Sequence, residues 1–338
     1  IIIAIIACHT NSHLKYHSTI NNINKIYNRI KYFSIIDSNE AIFSNNLKNH
    51  LKNDKKLSIH ELIDNNYLLD FGKWAYIIKN YITKYKIKYD YILLLNDSIL
   101  ITDKIDDYFD KLCTNHIELF GYNDSTQLGI YHYQSFLFSI SYEIESKFVN
   151  FVEINKNIDC YQKVVSNLEL KITNLTKNHS CLIEIANKKS NYGKNLIWHN
   201  ESFYKDLLVS NKYKIIKIKK IIEYYNTFEY HNSLFQNYNE DYYRNKYDDL
   251  KDLKNLINHF KKFGFNEGRR CSEYVISFLP VYYRNILSKL NLLNIFFFLF
   301  NFDIFYYKKN NPSLINLNNK ECMIHYLEYG VHNNLKYF

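Results

Sequence analysis

The chain has 338 residues, 47% of them hydrophobic and 23% charged, with only 7 Gly and 2 Pro, so it is not low-complexity, not collagen-like and not disordered over most of its length. At roughly 100–200 residues per domain it accommodates two or three units, and no stretch reaches the about 18–20 uninterrupted apolar residues of a bilayer-spanning helix, so no membrane span is expected. Lys+Arg 43 against Asp+Glu 34 gives a net charge of +9, but the lysines are scattered among acids, which argues against a nucleic-acid tract and leaves phosphate-bearing small molecules or an anionic surface as partners.

Ile1 to Ala7 is a β-rich apolar run ending in the polar group Cys8-His9-Thr10-Asn11-Ser12, the pattern of a buried strand that opens into a loop. A helix is expected next, then a second short strand, Tyr32 to Ile36, closed by Asp37-Ser38-Asn39. From Trp74 the apolar residues Ile77, Ile78, Tyr81 and Ile82 form a helical stripe, and Tyr91 to Leu95 is a continuous apolar strand that stops at Asn96-Asp97-Ser98. Alternating strands and helices predict an α/β fold with a parallel sheet, in which ligands bind beyond the carboxyl ends of the strands. Shorter strands over Ile117 to Tyr122 and Gln134 to Ile140 predict a mixed completion of that sheet. Asp159 to Leu175 reads as one helix, and the Lys/Ile alternation from Lys212 to Ile222 as an edge strand blunted by lysine.

The C-terminal third carries an internal repeat. Asp241 to Leu250 aligns with Phe305 to Leu314, and His259 to Gly264 with His325 to Gly330, the second copy having two extra residues between the blocks. Each copy predicts a short helical unit with aromatic anchors and a terminal Gly. The expected division is therefore a domain over 1–229 and a mainly helical module over 230–338, with copies at about 238–270 and 302–335. The module's expected role is scaffolding or self-association, with Phe296, Phe297, Phe298 and Phe300 as core. Six cysteines lie far apart without a C-x-x-C pair, which points to a reducing compartment and so to the cytoplasm, against a zinc site or a disulfide framework. The opening Ile1-Ile2-Ile3-Ala4, without Met or a basic leader, reads as a domain cut from a longer chain.

For chemistry, Asp97 is the foremost candidate: a carboxylate at the end of a central strand can hold Mg²⁺ or Mn²⁺ against a phosphate-bearing ligand, with Asn96 and Ser98 adding oxygen groups. A polar turn that merely caps the next helix is the equal alternative on spacing alone. No G-x-G-x-x-G follows the first strand, which disfavours a dinucleotide-binding oxidoreductase.

Three blocks in order, Asp70-Phe71-Gly72-Lys73-Trp74, Tyr89-Asp90-Tyr91-Ile92-Leu93-Leu94-Leu95-Asn96-Asp97-Ser98 and His132-Tyr133-Gln134-Ser135-Phe136, resemble those of the rhamnan-synthesis F-type glycosyltransferases. The resemblance spans about residues 1–225. It implies a GT-A fold, Rossmann-like with a mixed sheet flanked by helices, and transfer of rhamnose or a related deoxysugar from a nucleotide sugar to a glycan or glycoprotein acceptor, with inversion. The C-terminal module likewise resembles repeats found beside polysaccharide-building glycosyltransferases; Glu267-Gly268-Arg269 of the first copy becomes Asn333-Asn334-Leu335 in the second.

By that resemblance Thr10, Asn11 and Asp37 contact the nucleotide, and Asp70, Gly72 and Lys73 approach the diphosphate. Where the fold carries D-x-D for a Mn or Mg ion, this chain has Asn96-Asp97-Ser98, leaving Asp97 as its metal ligand. An inverting transfer needs a carboxylate base: Glu169 is the first candidate and Asp124, beside Asn123, its rival. Asn123, His132, Gln134 and Ser135 are expected to position substrate, and His199 is a further ligand candidate. The competing reading is an inactive GT-A domain that binds glycan or acts as a scaffold.

Overall fold

The structure, a computed structural model, describes residues 1–10, 13–39, 42–63, 68–114, 116–126, 129–158, 160–185, 201–219, 238–264, 269, 271, 286, 289–290, 303–317, 322 and 325–326. Two compact units are present, Ile1–Asn11 with Lys15–Lys217, and Ser12–Leu14 with Ile218–Phe338. The expected boundary at residue 230 lies outside the described residues.

In the first unit the apolar runs become strands β1 (Ile2–Cys8), β2 (Tyr32–Asp37), β3 (Leu57–Leu62) and β4 (Tyr91–Asn96), interleaved with helices α1 (His13–Ile26), α2 (Ile42–Leu51) and α3 (Leu69–Ile77). β1 lies between β2 and β4, all parallel, and β3 joins β2 at the edge. There follow β5 (Ile99–Ile101), α4 (Asp106–Thr114), β6 (Leu119–Ser125), β7 (His132–Tyr133), β8 (Leu137–Ser141), α5 (Glu145–Ile154), α6 (Tyr161–Asn167), β9 (His179–Ile183), α7 (Glu201–Val209) and β10 (Ile215–Lys217). β8 runs antiparallel between β4 and β6, so the sheet order is β3-β2-β1-β4-β8-β6-β7 with β9 on β6, a mixed sheet flanked by helices. This is the architecture expected of the GT-A class.

The core explains the order. β1 is buried along its whole length, as a strand covered on both faces must be. Trp74 is fully buried edge-on to Phe71 and Phe138, at ring distances of 5.3 and 5.4 Å, and its indole N–H donates to the Leu95 carbonyl at 3.3 Å. A buried Trp needs such a partner for its N–H. The helical stripe continues past α3 as a wider π-type turn, Ile78–Thr83.

Two expected elements differ, and one strand is additional. The Asp159 to Leu175 helix is two pieces, α6 and a tighter 3₁₀ stretch over Glu169–Leu175, with Leu168 between them at φ −110° and ψ −63°. Of the strand expected over Lys212 to Ile222, the described residues form β10, which pairs antiparallel with β5; residues 220–222 lie outside them. The doubled Ile215-Ile216 breaks the Lys/Ile alternation and sets Lys217 on the strand face of Ile215, not on that of Lys214. β3 carries no continuous apolar run and was not expected.

Gly121 on β6 is a close-approach position. A Cβ there would stand 2.5 Å from Tyr133 Cγ, and Tyr133 is itself buried and hydrogen-bonded through its hydroxyl to His179 Nδ1 at 2.6 Å. Gly121→Ala is expected to destabilise the fold by about 1–3 kcal/mol through overpacking. Urea unfolding should show a lowered midpoint at unchanged slope; an unmoved midpoint would show that Tyr133 yields freely.

In the second unit, Asn239 caps helix Glu240–Lys246 by accepting the Tyr242 amide, and Asp303 caps helix Ile304–Asn310 by accepting the Tyr306 amide. The Tyr243 hydroxyl meets His259 Nδ1 at 3.1 Å, and the Tyr307 hydroxyl meets His325 Nδ1 at 2.8 Å. The two stretches also touch. Tyr247 donates to Asp303 at 2.6 Å, and the Arg269 guanidinium lies 3.9 Å over the Phe305 ring while forking onto Asp249 at 2.9 and 2.8 Å. Phe296 to Phe300, Glu267-Gly268 and Asn333 to Leu335 lie outside the described residues. Among the described residues no helix is long and apolar enough to cross a membrane, and all six cysteines are free thiols.

Candidate active site

Strand register sets the site. Cys8 pairs with Asp37 and Ala7 with Asn96, so the carboxyl ends of β1, β2 and β4 are level and their loops converge. Asp37 is fully buried; its Oδ1 accepts the Thr10 and Asn39 amides, each at 3.1 Å, and its Oδ2 accepts the Ser44 hydroxyl at 3.0 Å. Asn39 returns a bond from Nδ2 to the Thr10 carbonyl at 2.7 Å. The Thr10 hydroxyl is buried without a hydrogen-bond partner among the described residues, a polar group held out of water at the strand ends. Asn11 and His199 lie outside the described residues.

Asp97 joins the first and fourth strand ends. Its Oδ2 accepts the His9 amide at 2.7 Å and lies 3.3 Å from the Lys15 ammonium. Lys15 also donates to the His9 carbonyl at 2.9 Å. Burial alone would lower the Lys15 ammonium, but Asp97 beside it, and then Asp70, outweigh that and raise it. Asn96 donates its amide to Asp70 at 2.7 Å and accepts the Ser98 hydroxyl at 2.7 Å. Burial pushes the Asp70 carboxyl up, with Lys73 opposing it.

Asp70 is in the first turn of α3 but does not cap it; the capping position is Leu68, whose side chain makes no cap bond. Lys73, one turn on, is almost wholly buried and donates to the Cys8 carbonyl at 2.6 Å, tying α3 to β1. Gly72 lies on another face of α3, lining a groove of about 220 Å³ with Val152 and Glu153 of α5.

Across from Asp97, the break after α6 presents Glu169. The amide and hydroxyl of Ser135, with Lys217 and His132, are close enough to bear on its charge. Burial raises the Glu169 carboxyl, and those four contacts hold it back. His132 is buried; its Nδ1 donates to the Ile130 carbonyl at 2.9 Å, which leaves Nε2 to face the Gln134 amide at 3.4 Å. Tyr161 is largely exposed, and partial desolvation, then the charges of Glu169 and Asp70, raise its phenol.

Asn123 and Asp124 lie on β6 beside β7, and the Asn123 carbonyl accepts the Gln134 amide at 3.1 Å. Asp124 is buried and accepts the Ile185 amide, and its charge bears on Cys181. Asn123 accepts the Tyr213 hydroxyl at 2.9 Å. Of the expected site residues, then, Asp70, Asn96, Asp97, Ser98, His132, Gln134, Ser135 and Glu169 are brought together, Thr10 and Asp37 form the adjoining strand-end loop, and Asn123 and Asp124 lie on β6 where it pairs with β7.

Two residues that sequence reasoning did not select complete the group. Lys15 sits in the first turn of α1, and Lys217 ends β10, where it donates to the Ser98 hydroxyl at 2.9 Å and lies 4.6 Å over the Phe136 ring. Burial lowers the Lys217 ammonium to about 8, with Glu169, Asp70 and Asp97 partly restoring it. The only local signal for Lys217 is the doubled Ile before it; for Lys15 there is none.

The donor set does not suit the divalent cation that the fold class implies. Asp97 already neutralises an ammonium at 3.3 Å, which repels a dication, and the Asn96 amide oxygen is taken by Ser98. Among the described residues no three His, Cys, Asp or Glu side chains are grouped to hold a metal ion.

No protein-family profile matches the chain, and no curated protein matches it. Solved structures similar to it include a glycosyltransferase involved in glycosylation of the major capsid of PBCV-1, at 13% identity and TM-score 0.35 over 54% of this chain and 81% of that one. The galactosyltransferase LgtC, in complex with donor and acceptor sugar analogs, is similar at 12% identity and TM-score 0.34 over 54% and 73%. The bifunctional glycosyltransferase WbbM is similar at 10% and TM-score 0.40 over 64% and 45%.

Proposed function

We propose that the chain is a nucleotide-sugar-dependent glycosyltransferase that extends a glycan in the cytoplasm, with rhamnose or a related deoxysugar as the transferred group. The observation that carries this reading is the meeting of the three motif blocks at one end of the sheet, with the Asp97 and Glu169 carboxylates both bearing on Lys217. The β1 and β2 loops, with the buried Thr10 hydroxyl and Asp37, suit the nucleoside, and the strand ends suit its diphosphate.

In this reading Glu169 takes the proton of the acceptor hydroxyl as that oxygen attacks the anomeric carbon. The bond from that carbon to the diphosphate oxygen breaks, and the nucleoside diphosphate leaves with the electron pair, inverting the centre. Ser135 orients the Glu169 carboxylate, and the Gln134–His132 pair firms the wall beside it. The reading that the chain only binds glycan finds support in the ion pair that already occupies Asp97. Release of nucleoside diphosphate across a panel of UDP-, GDP-, dTDP- and CDP-sugars separates the two. Hydrolysis of at least one donor, rising on addition of an oligosaccharide acceptor, is the expected result; glycan binding with no donor turnover would favour the binding module.

A further inference from the structure

We propose that Lys15 and Lys217 form a cationic clamp for the donor diphosphate, performing in this chain the charge neutralisation for which the fold class uses a divalent ion. The proposal rests on the glycosyltransferase reading above.

The two ammonium groups reach the strand ends from separate elements. Lys15 comes from the start of α1 and is set by Asp97 and the His9 carbonyl. Lys217 comes from β10, which is fixed by its pairing of Lys217 with Ile99, directly after the Asn96-Asp97-Ser98 turn. That turn therefore lies between the two lysines, and Ser98 and Asp97 tie each in place. Asp70, Asp97 and Glu169 supply the surrounding negative charge, so neither lysine is left as an uncompensated charge before ligand arrives.

A diphosphate suits this pair. Charge-assisted N–H···O bonds from two lysines neutralise the two phosphates and favour departure of the diphosphate, the electrostatic task otherwise given to a metal. A dication at the same turn would have to displace Lys15 from Asp97. The backbone at Thr10 and Asn39 and the buried Thr10 hydroxyl lie on the adjoining strand ends, where the nucleoside would continue.

The test is calorimetric titration of the full chain with UDP, GDP, dTDP and CDP and their monophosphates, in excess EDTA and again with MnCl₂. We expect one nucleoside diphosphate to bind in EDTA, with affinity changed no more than about twofold by Mn²⁺. Lys217→Gln should weaken that diphosphate by about tenfold and its monophosphate much less, with Lys217→Arg restoring most of the difference. A merely structural Lys217 would lower both affinities together, and that result overturns the clamp. Diphosphate binding that requires Mn²⁺ also overturns it while leaving the glycosyltransferase reading intact. Failure of every nucleotide to bind, with or without Mn²⁺, overturns both.

Discussion

Glu169→Gln is expected to slow sugar transfer by about 10²- to 10⁴-fold, the usual contribution of a positioned general base, and to leave nucleotide affinity unchanged. The carboxylate has no task until the acceptor hydroxyl begins to lose its proton, so its loss should appear in the rate of the bound complex and not in donor binding. Gln keeps the size of the side chain and an oxygen to accept from Ser135, so the wall of the site survives. Burial has already raised the carboxyl, which moves its proton affinity toward the neutral range where a base is most effective. Single-turnover transfer measured beside nucleotide titration checks the division. A parallel fall in affinity and rate would make Glu169 a binding residue instead.

Asp37→Ala is expected to cost about 3 kcal/mol of stability and to weaken nucleotide binding at the same time. Three donors converge on this buried carboxylate, and each donor left without an acceptor costs about 1–3 kcal/mol. The Thr10 and Asn39 backbones lose their common anchor with it. Asp37→Asn retains an oxygen for those amides and should recover most of both losses, because the side chain acts by holding the loops. If the Asn variant recovers stability but not affinity, the charge of Asp37 meets the nucleotide directly. Urea denaturation and calorimetry on the same preparations distinguish the two.

How much of this was legible in the sequence follows from which interactions are local. β1, β2 and β4 are buried strands, and burial writes a continuous apolar run whatever lies beside it. β3, at the sheet edge with half-buried Ile59, His60 and Glu61, writes no such run. Asp97 stood out because a polar break after an apolar strand is itself a local signal. Lys15 and Lys217 did not, because their partners are brought near only when α1 and β10 close on the β4 turn; locally they are ordinary lysines among many. The break that turns Glu169 toward Ser135 is also tertiary: Leu168 is buried there, and the chain tightens from α into 3₁₀ geometry around it. Asp124, inside β6, shows a contact of the same tertiary kind: one of its carboxylate oxygens accepts the Ile185 backbone amide, a partner far along the chain.

The second unit has a polarity. Tyr247 and Arg269 of the first copy clasp Asp303 and Phe305 at the head of the second. At the corresponding places in the second copy stand Asn311 and Leu335, which offer neither a phenol nor a guanidinium. The coupling therefore runs in one direction: the first copy has a tail that grips, the second a head that is gripped and no equivalent tail. A copy appended behind the second would therefore find no phenol or guanidinium for its leading acid and aromatic, so two side chains decide which way such copies can be joined.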